Sequence, residues 1–327
     1  MTDTLAAYSL VAAYSAIAVY ALAFIAFVLD LSRRSAVVAA PAASAAAPAT
    51  ATAARGGTAL LERVGTITSR VAAGSARTGG TRYQRTAMAL TIIAWVVHVG
   101  AIVLRGVAAG RVPWANMFEF SMTGTGVIVG VFLLVNIWKD VRFLGAYVTG
   151  VVVLLLGLGT VNFYVDVTPL PPALQSYWLV IHVFVAILAT GFYAVGGGLS
   201  IAQLLQNRRE SGKAKRLGFL ATFPSSETLE AMANRVIIVG FAFWTFTLMA
   251  GAIWAERAWG RYWGWDTKEV WTFIIWVIFA GYIHARATRG WRGNRSAWLA
   301  IIGLAAVLFN FTIVNLFFKG LHAYSGL

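Results

Sequence analysis

The sequence predicts an all-α, polytopic membrane protein of about eight transmembrane helices with both termini outside the cytoplasm, and three observations carry that expectation. Of the 327 residues, 59% are hydrophobic and only 12% charged, and the mean hydropathy is strongly positive, far from a soluble globular profile. Eight runs carry few or no charges and reach the roughly 20 residues that a helix needs to cross a core of about 30 Å. The lysines and arginines, finally, fall unevenly between the loops that join those runs.

The first run, Leu5–Leu29, has no basic stretch before it and Arg33-Arg34 after it. It therefore reads as a retained span within residues 1–34 rather than a cleaved signal. Residues 35–85 are dominated by Ala, Gly, Ser and Thr, with Pro41, Pro48 and scattered arginines. Such a composition cannot bury a core, which predicts a disordered Ala-rich cytoplasmic linker. Spans then follow at Thr86–Leu104, Phe120–Trp138 and Phe143–Val165. The segment VDVTPLPPALQS (165–176) holds three prolines, which forbid a regular helix and make it a stiff turn. The fifth span is Tyr177–Leu205, in which Gly196-Gly197-Gly198 is the single candidate break. Val236–Ala255, Thr267–Ala285 and Ala297–Phe318 complete the set. Residues 86–327 thus form a seven-helix membrane domain.

An even number of spans puts both termini on one side, and the positive-inside rule says which. Loops 30–85, 139–142, 206–235 and 286–296 carry 20 of the 26 basic residues, and the termini and the other loops carry six. The termini and the loop at 256–271 are accordingly expected outside the cytoplasm of a plasma membrane. This partition also accounts for the net charge of +14 without any nucleic acid. There is no cysteine, so the chain forms no disulfide and does no thiol chemistry of its own.

The loop WGRYWGWDTKEVW sets four tryptophans, Trp259, Trp263, Trp265 and Trp271, within thirteen residues. Asp266-Thr267-Lys268-Glu269 has the form of a capping box opening the seventh span, which gives both carboxylates a structural reading. An interfacial aromatic belt explains isolated cases such as Trp138, Trp178 and Trp298, but one or two indoles would anchor this loop. Four offer large rigid faces for stacking, each with one N–H donor. A planar macrocycle such as haem, apolar across its face with carboxylates at one edge, suits such a platform. Arg257, Arg261 and Lys268 flank the tryptophans. They either neutralise Glu256, Asp266 and Glu269 or pair with haem propionates.

Haem iron takes histidine ligands, and the chain has four histidines: His98, His182, His284 and His322. His182 lies just inside the outer end of the fifth span and His322 just beyond the eighth, on the side of the tryptophan loop. Two imidazoles and an indole platform from three separate segments thus converge. His284 sits near the other end of the seventh span, about 25 Å from the loop at helical rise. His98 reads as a packed, hydrogen-bonded structural histidine.

The pattern W-G-x-x-W-x-W-D-x-x-E (Trp259, Gly260, Trp263, Trp265, Asp266, Glu269) resembles the "WWD" signature of haem-handling proteins of cytochrome c maturation. Over roughly residues 86–327 the layout resembles the CcsA/ResC family, whose actinobacterial members are often labelled CcsB. The segments SYWLVIHV and NLFFKGLHAY resemble the family's external haem-ligand segments, and YIHAR its transmembrane one. RVPWANMFEF, with Pro113, Trp114, Asn116 and Glu119, also resembles a family stretch. The resemblance implies a system II cytochrome c synthase subunit that binds haem b through His182 and His322, with His284 at an inner position. It further implies transfer of haem across the membrane and presentation for thioether attachment, with a ResB/Ccs1-type membrane partner, an apocytochrome c bearing Cys-x-x-Cys-His, and a thioredoxin-like reductant. The competing expectations are a haem-loading protein of the other maturation pathway, a small-solute or ion transporter with an aromatic external gate, and a quinone-reactive subunit with bis-histidine haems. Internal repeats and helices broken at mid-membrane would favour the transporter.

Overall fold

The computed structural model describes residues 2–44, 81–170, 172–213, 217–288 and 290–322. Within them every regular element is helical: α1 (Thr2–Ser44), α2 (Arg82–Ala109), α3 (Met117–Trp138), α4 (Gly145–Asn162), α5 (Tyr177–Glu210), α6 (Ser226–Trp259), α7 (Thr267–Thr288), α8 (Asn294–Phe311) and the short α9 (Ile313–Phe317). Eight helical stretches are long and apolar enough to cross a membrane, α8 and α9 counting as one. The helices α1, α2 and α6 run past their apolar runs at both ends, because polar first and last turns project beyond a hydrocarbon core, whereas α4 stops short of its expected run Phe143–Val165 at both ends. The first helix continues to Ser44, into the Ala-rich segment, and residues 45–80 of that segment lie outside the described residues.

Side-chain caps set where several helices start. Thr81 accepts from the Gln84 amide, Asn116 from Glu119, Ser176 from Trp178 and Ser225 from Thr228, each satisfying an amide the helix itself cannot. Gly110 and Gly260, at φ of 63° and 70°, end α2 and α6 in the left-handed conformation that glycine adopts without a steric penalty. Apolar side chains also cover the outside of the bundle. Val96, Ile137, Leu154, Val161, Phe246 and Ile302 are all exposed, as expected where the solvent for that belt is lipid.

The centre of the bundle is α5, which packs against α3, α6 and α8. Its triple glycine is no break: the helix runs unbroken from Tyr177 to Glu210. Each glycine admits a different neighbour. A Cβ on Gly196 would collide with Ile237 of α6, one on Gly197 with Leu304 of α8, and one on Gly198 with Tyr147 of α4. Small residues allow this close approach between membrane helices. The first helix belongs to the same body, for α1 packs along α2 and α4. Phe27 covers Gly145, and Ser9 donates to the Ala101 carbonyl at 2.8 Å.

Polar clusters tie each end of the bundle. At one end Glu230 of α6 accepts from Arg286 of α7, from the Gly293 amide at 2.8 Å and from Ser296 of α8 at 3.1 Å. At the other, Glu119 takes Arg105 at 3.0 Å, Arg111 at 2.6 Å and the Ala115 amide at 3.0 Å, while Arg105 also reaches the Val165 carbonyl. Glu119 and Arg105 are almost wholly buried. Charges there are tolerable only because partners surround them.

Candidate functional site

The end of the bundle that holds the Glu119 cluster also holds a cavity of about 290 Å³, at the lower edge of the range for small-molecule sites. Its floor and walls are largely apolar, with side chains from α3, α5, α6, α7 and α8. A few polar groups converge on it, among them His182, His322, Lys268 and Glu269. The α2–α3 turn, the tryptophan loop and the tail after α9 close its rim. The N-terminal end of α1 and residue 322 therefore lie at the same end of the bundle as the loop.

His182 stands one and a half turns into α5. Its Nδ1 lies 3.0 Å from the Thr247 carbonyl of α6. A carbonyl only accepts, so Nδ1 carries the proton and Nε2 keeps its lone pair. The imidazole sits this close to α6 because residue 251 is glycine, where a Cβ would come within 2.7 Å of the ring. On its flank the ring stacks on Trp254, with centroids 5.8 Å apart and planes 15° from parallel.

His322 reaches the same place from the other end of the sequence. Its Nδ1 lies 2.6 Å from Asp266 Oδ2, so a carboxylate fixes the second imidazole as a carbonyl fixes the first. His322 makes edge contacts with Trp254 at 5.3 Å and Trp259 at 4.8 Å. The hydrogen bond from His322, together with the Lys268 and Leu321 amides, holds the Asp266 carboxyl below its usual range. One indole, Trp254, thus packs against both imidazoles. Each ring has its Nδ1 committed and its Nε2 left over.

The loop itself is built by the capping box. Glu269 is buried, and its Oε2 accepts from the Gly264 and Asp266 amides at 2.8 and 3.0 Å, turning the chain into α7. The seven loop residues between the helix ends, 260–266, are thereby folded around one carboxylate. Trp263 lines the cavity, and Trp259 packs behind His322. Trp265 differs. It is 77% exposed and has a φ of 59°, the one positive φ at a non-glycine position among the described residues. Asp266 stands behind His322 rather than on the cavity wall. Of the expected binding residues, the fold gathers His182, His322, Trp263 and Glu269 at the cavity. Trp259 and Asp266 form a supporting layer, and Trp265 points outward.

His284 lies far along α7, exposed on the outside of the bundle near its opposite end. His98 is fully buried between helices, with Nδ1 3.4 Å from Tyr20 Oη of α1 and Nε2 without a hydrogen-bond partner. Three participants escaped the sequence reading. Trp254 is hidden in the apolar run of α6 and carries no motif. Gly251 and Thr247, which seat His182, are ordinary residues until α5 and α6 are brought together.

These features define a multi-pass helical membrane protein with a histidine-bearing apolar cavity beneath a tryptophan-rich loop. Comparison with known proteins makes the class specific. A family model for the cytochrome C assembly protein matches residues 114–322. The cytochrome c biogenesis protein CcsA of Guillardia theta is 34% identical over 254 residues, covering 72% of this chain and 84% of that protein. The CcsA of Prochlorococcus marinus is 34% identical over 248 residues, covering 68% and 78%. That of Chlamydomonas reinhardtii is 33% identical over 229 residues, covering 68% and 64%. A solved structure of the cytochrome c haem lyase CcmF shares the fold, with a TM-score of 0.62 at 15% identity. The likeness covers 98% of this chain but 48% of that one, so this chain spans about half of the larger protein. The chain belongs to the cytochrome c assembly protein family and is a membrane-spanning component of cytochrome c biogenesis.

Proposed function

We propose that this chain is the haem-handling subunit of a system II cytochrome c synthase, and that haem b is its cargo and substrate. The supporting observation is the paired state of His182 and His322. Both line one cavity, and both have Nδ1 engaged by a fixed acceptor, the arrangement that orients an imidazole for metal binding through Nε2. Haem brings the iron and the vinyl groups that thiols add across.

On this reading His182 and His322 take the two axial positions. Trp254 sets the spacing of the two rings, and Trp263 and the apolar walls receive the macrocycle. Trp259 and Asp266 hold His322 in place, and Glu269 holds the loop. Trp265, being exposed, serves as a contact for an incoming chain. An apocytochrome c segment Cys-x-x-Cys-His docks at the rim, and its histidine takes over the axial position released by one of the two imidazoles. The other keeps the ring in register while the two thiols add. The role of the protein is orientation and exclusion of water. A thioredoxin-like reductant keeps the substrate thiols reduced, and the cavity end faces outside the plasma membrane, an orientation the partition of basic residues supports. His284, exposed near the opposite end of α7, suits an inner haem position whose other ligand comes from a ResB-type partner.

The test is absorption spectroscopy of the full chain purified with its partner. Wild-type protein should give the sharp bands of a bis-imidazole, low-spin haem. His182→Ala and His322→Ala should each lose them, and added free imidazole should restore them. Unchanged spectra in both variants would remove the proposal.

A further inference from the structure

Of the lysines and arginines that line the cavity, Arg111 is paired with a carboxylate and Lys268 has none at salt-bridge distance among the described residues. Arg257 is exposed and lies against Glu256 at 3.5 Å, outside the cavity. Arg261 lies 3.6 Å from Glu269 and over the Trp259 ring. Arg111 gives both terminal nitrogens to Glu119. The Asp266 carboxylate is hydrogen-bonded by His322 and acts on Lys268 only through space, without direct contact. Lys268 is different. It lines the cavity, yet among the described residues its ammonium meets a single acceptor, the Asn310 carbonyl at 3.2 Å, and no carboxylate at salt-bridge distance.

An ammonium has three donors. A cation that spends one of them on a neutral carbonyl, in a largely apolar pocket, is costly unless a counter-charge arrives. Its place in the loop is not a capping requirement, for Asp266 and Glu269 already open α7 between them. The Lys268 stem runs toward α8, where the ammonium meets the Asn310 carbonyl at the cavity wall. Its charge also has the sign that a ligand carrying carboxylates would need.

We infer that the Lys268 ammonium is the seat for a carboxylate of the ligand in this cavity. On the haem reading above, on which the identity of the ligand rests, that carboxylate is a propionate. The lysine is then a positioning residue. By pinning one carboxylate it fixes the rotation of the ring about the His182–His322 axis, and so fixes which edge faces the rim. Two axial imidazoles cannot set that rotation, because they grip the iron alone.

The experiment titrates the full chain in lipid nanodiscs with two probes, haem and haem dimethyl ester, whose propionates are blocked. Wild-type protein is compared with Lys268→Met and Lys268→Arg, and binding is read by absorbance. The methionine variant should bind haem at least about thirtyfold more weakly, the usual scale for stripping one partner from a buried charge pair. Its affinity for the dimethyl ester should equal that of wild type, and the arginine variant should keep most of its haem affinity. Equal losses for both probes would show a merely structural lysine and overturn the inference, as would an unchanged affinity for haem. If His182→Ala binds haem like wild type, the haem reading falls instead, and that outcome is separate from the lysine result.

Discussion

Replacing Gly251 by alanine should damage the site through a single methyl group. The added Cβ would lie 2.7 Å from His182 Cε1 and 2.8 Å from Nδ1, where ordinary contacts begin near 3.4 Å. The ring has little room to retreat. Trp254 stacks on it, and its Nδ1 is bonded to the Thr247 carbonyl at 3.0 Å. Relieving the overlap moves the imidazole by most of an ångström, enough to break that bond. Overpacking of this kind costs about 1–3 kcal/mol, and the lost hydrogen bond about 1 kcal/mol more. Gly281 of α7 is the control, since nothing lies within 4 Å of its Cβ. There alanine should be neutral or stabilise by up to about 1 kcal/mol. Thermal unfolding in detergent and the haem absorption spectrum form the assay. Gly251→Ala should melt earlier and lose the low-spin bands, while Gly281→Ala keeps both. A Gly251→Ala protein with wild-type stability and spectrum would refute this account of how His182 is seated.

The remaining predictions concern the charged clusters. Glu119→Ala strips the carboxylate that both Arg105 and Arg111 share and should cost about 3–5 kcal/mol, read as a fall in melting temperature. Glu230→Ala strips acceptors from Arg286, the Gly293 amide and Ser296. It should destabilise by about 1–3 kcal/mol, with faster hydrogen exchange at the start of α8 and none at the tryptophan loop. The Asp266–His322 contact has a pH signature. Because the folded carboxyl is held below its usual range, the contact contributes fully above about pH 4 and is lost as pH falls through the lowered value. Protection of the 319–322 amides against hydrogen exchange, relative to their intrinsic rates at each pH, should therefore hold from pH 8 down to about 4 and fall only below that, whereas Asp266→Ala should lack it throughout.

The spans were legible because hydrocarbon demands uninterrupted apolar length, and in α3, α5 and α7 the runs located the helices closely. The capping box was legible for a similar reason: Asp266 and Glu269 lie three residues apart, so their hydrogen bonds are local. Convergence of His182 with His322 followed from counting spans. What stayed hidden depends on packing between helices distant in sequence. Nothing in GAIWAER separates Trp254 from an interfacial anchor until α5 and the tail lie against it. The triple glycine of α5 reads as a hinge in one dimension. In three it is where α4, α6 and α8 approach. The tryptophans looked equivalent in sequence, yet the turn into α7 sends Trp263 inward and Trp265 outward.

The central claim is most directly tested by a structure of the full chain loaded with haem in lipid nanodiscs. The account predicts iron coordinated by Nε2 of both His182 and His322, with the Nδ1 bonds to Thr247 and Asp266 retained. Iron held by any other pair of side chains, or a macrocycle bound away from this cavity, would contradict it.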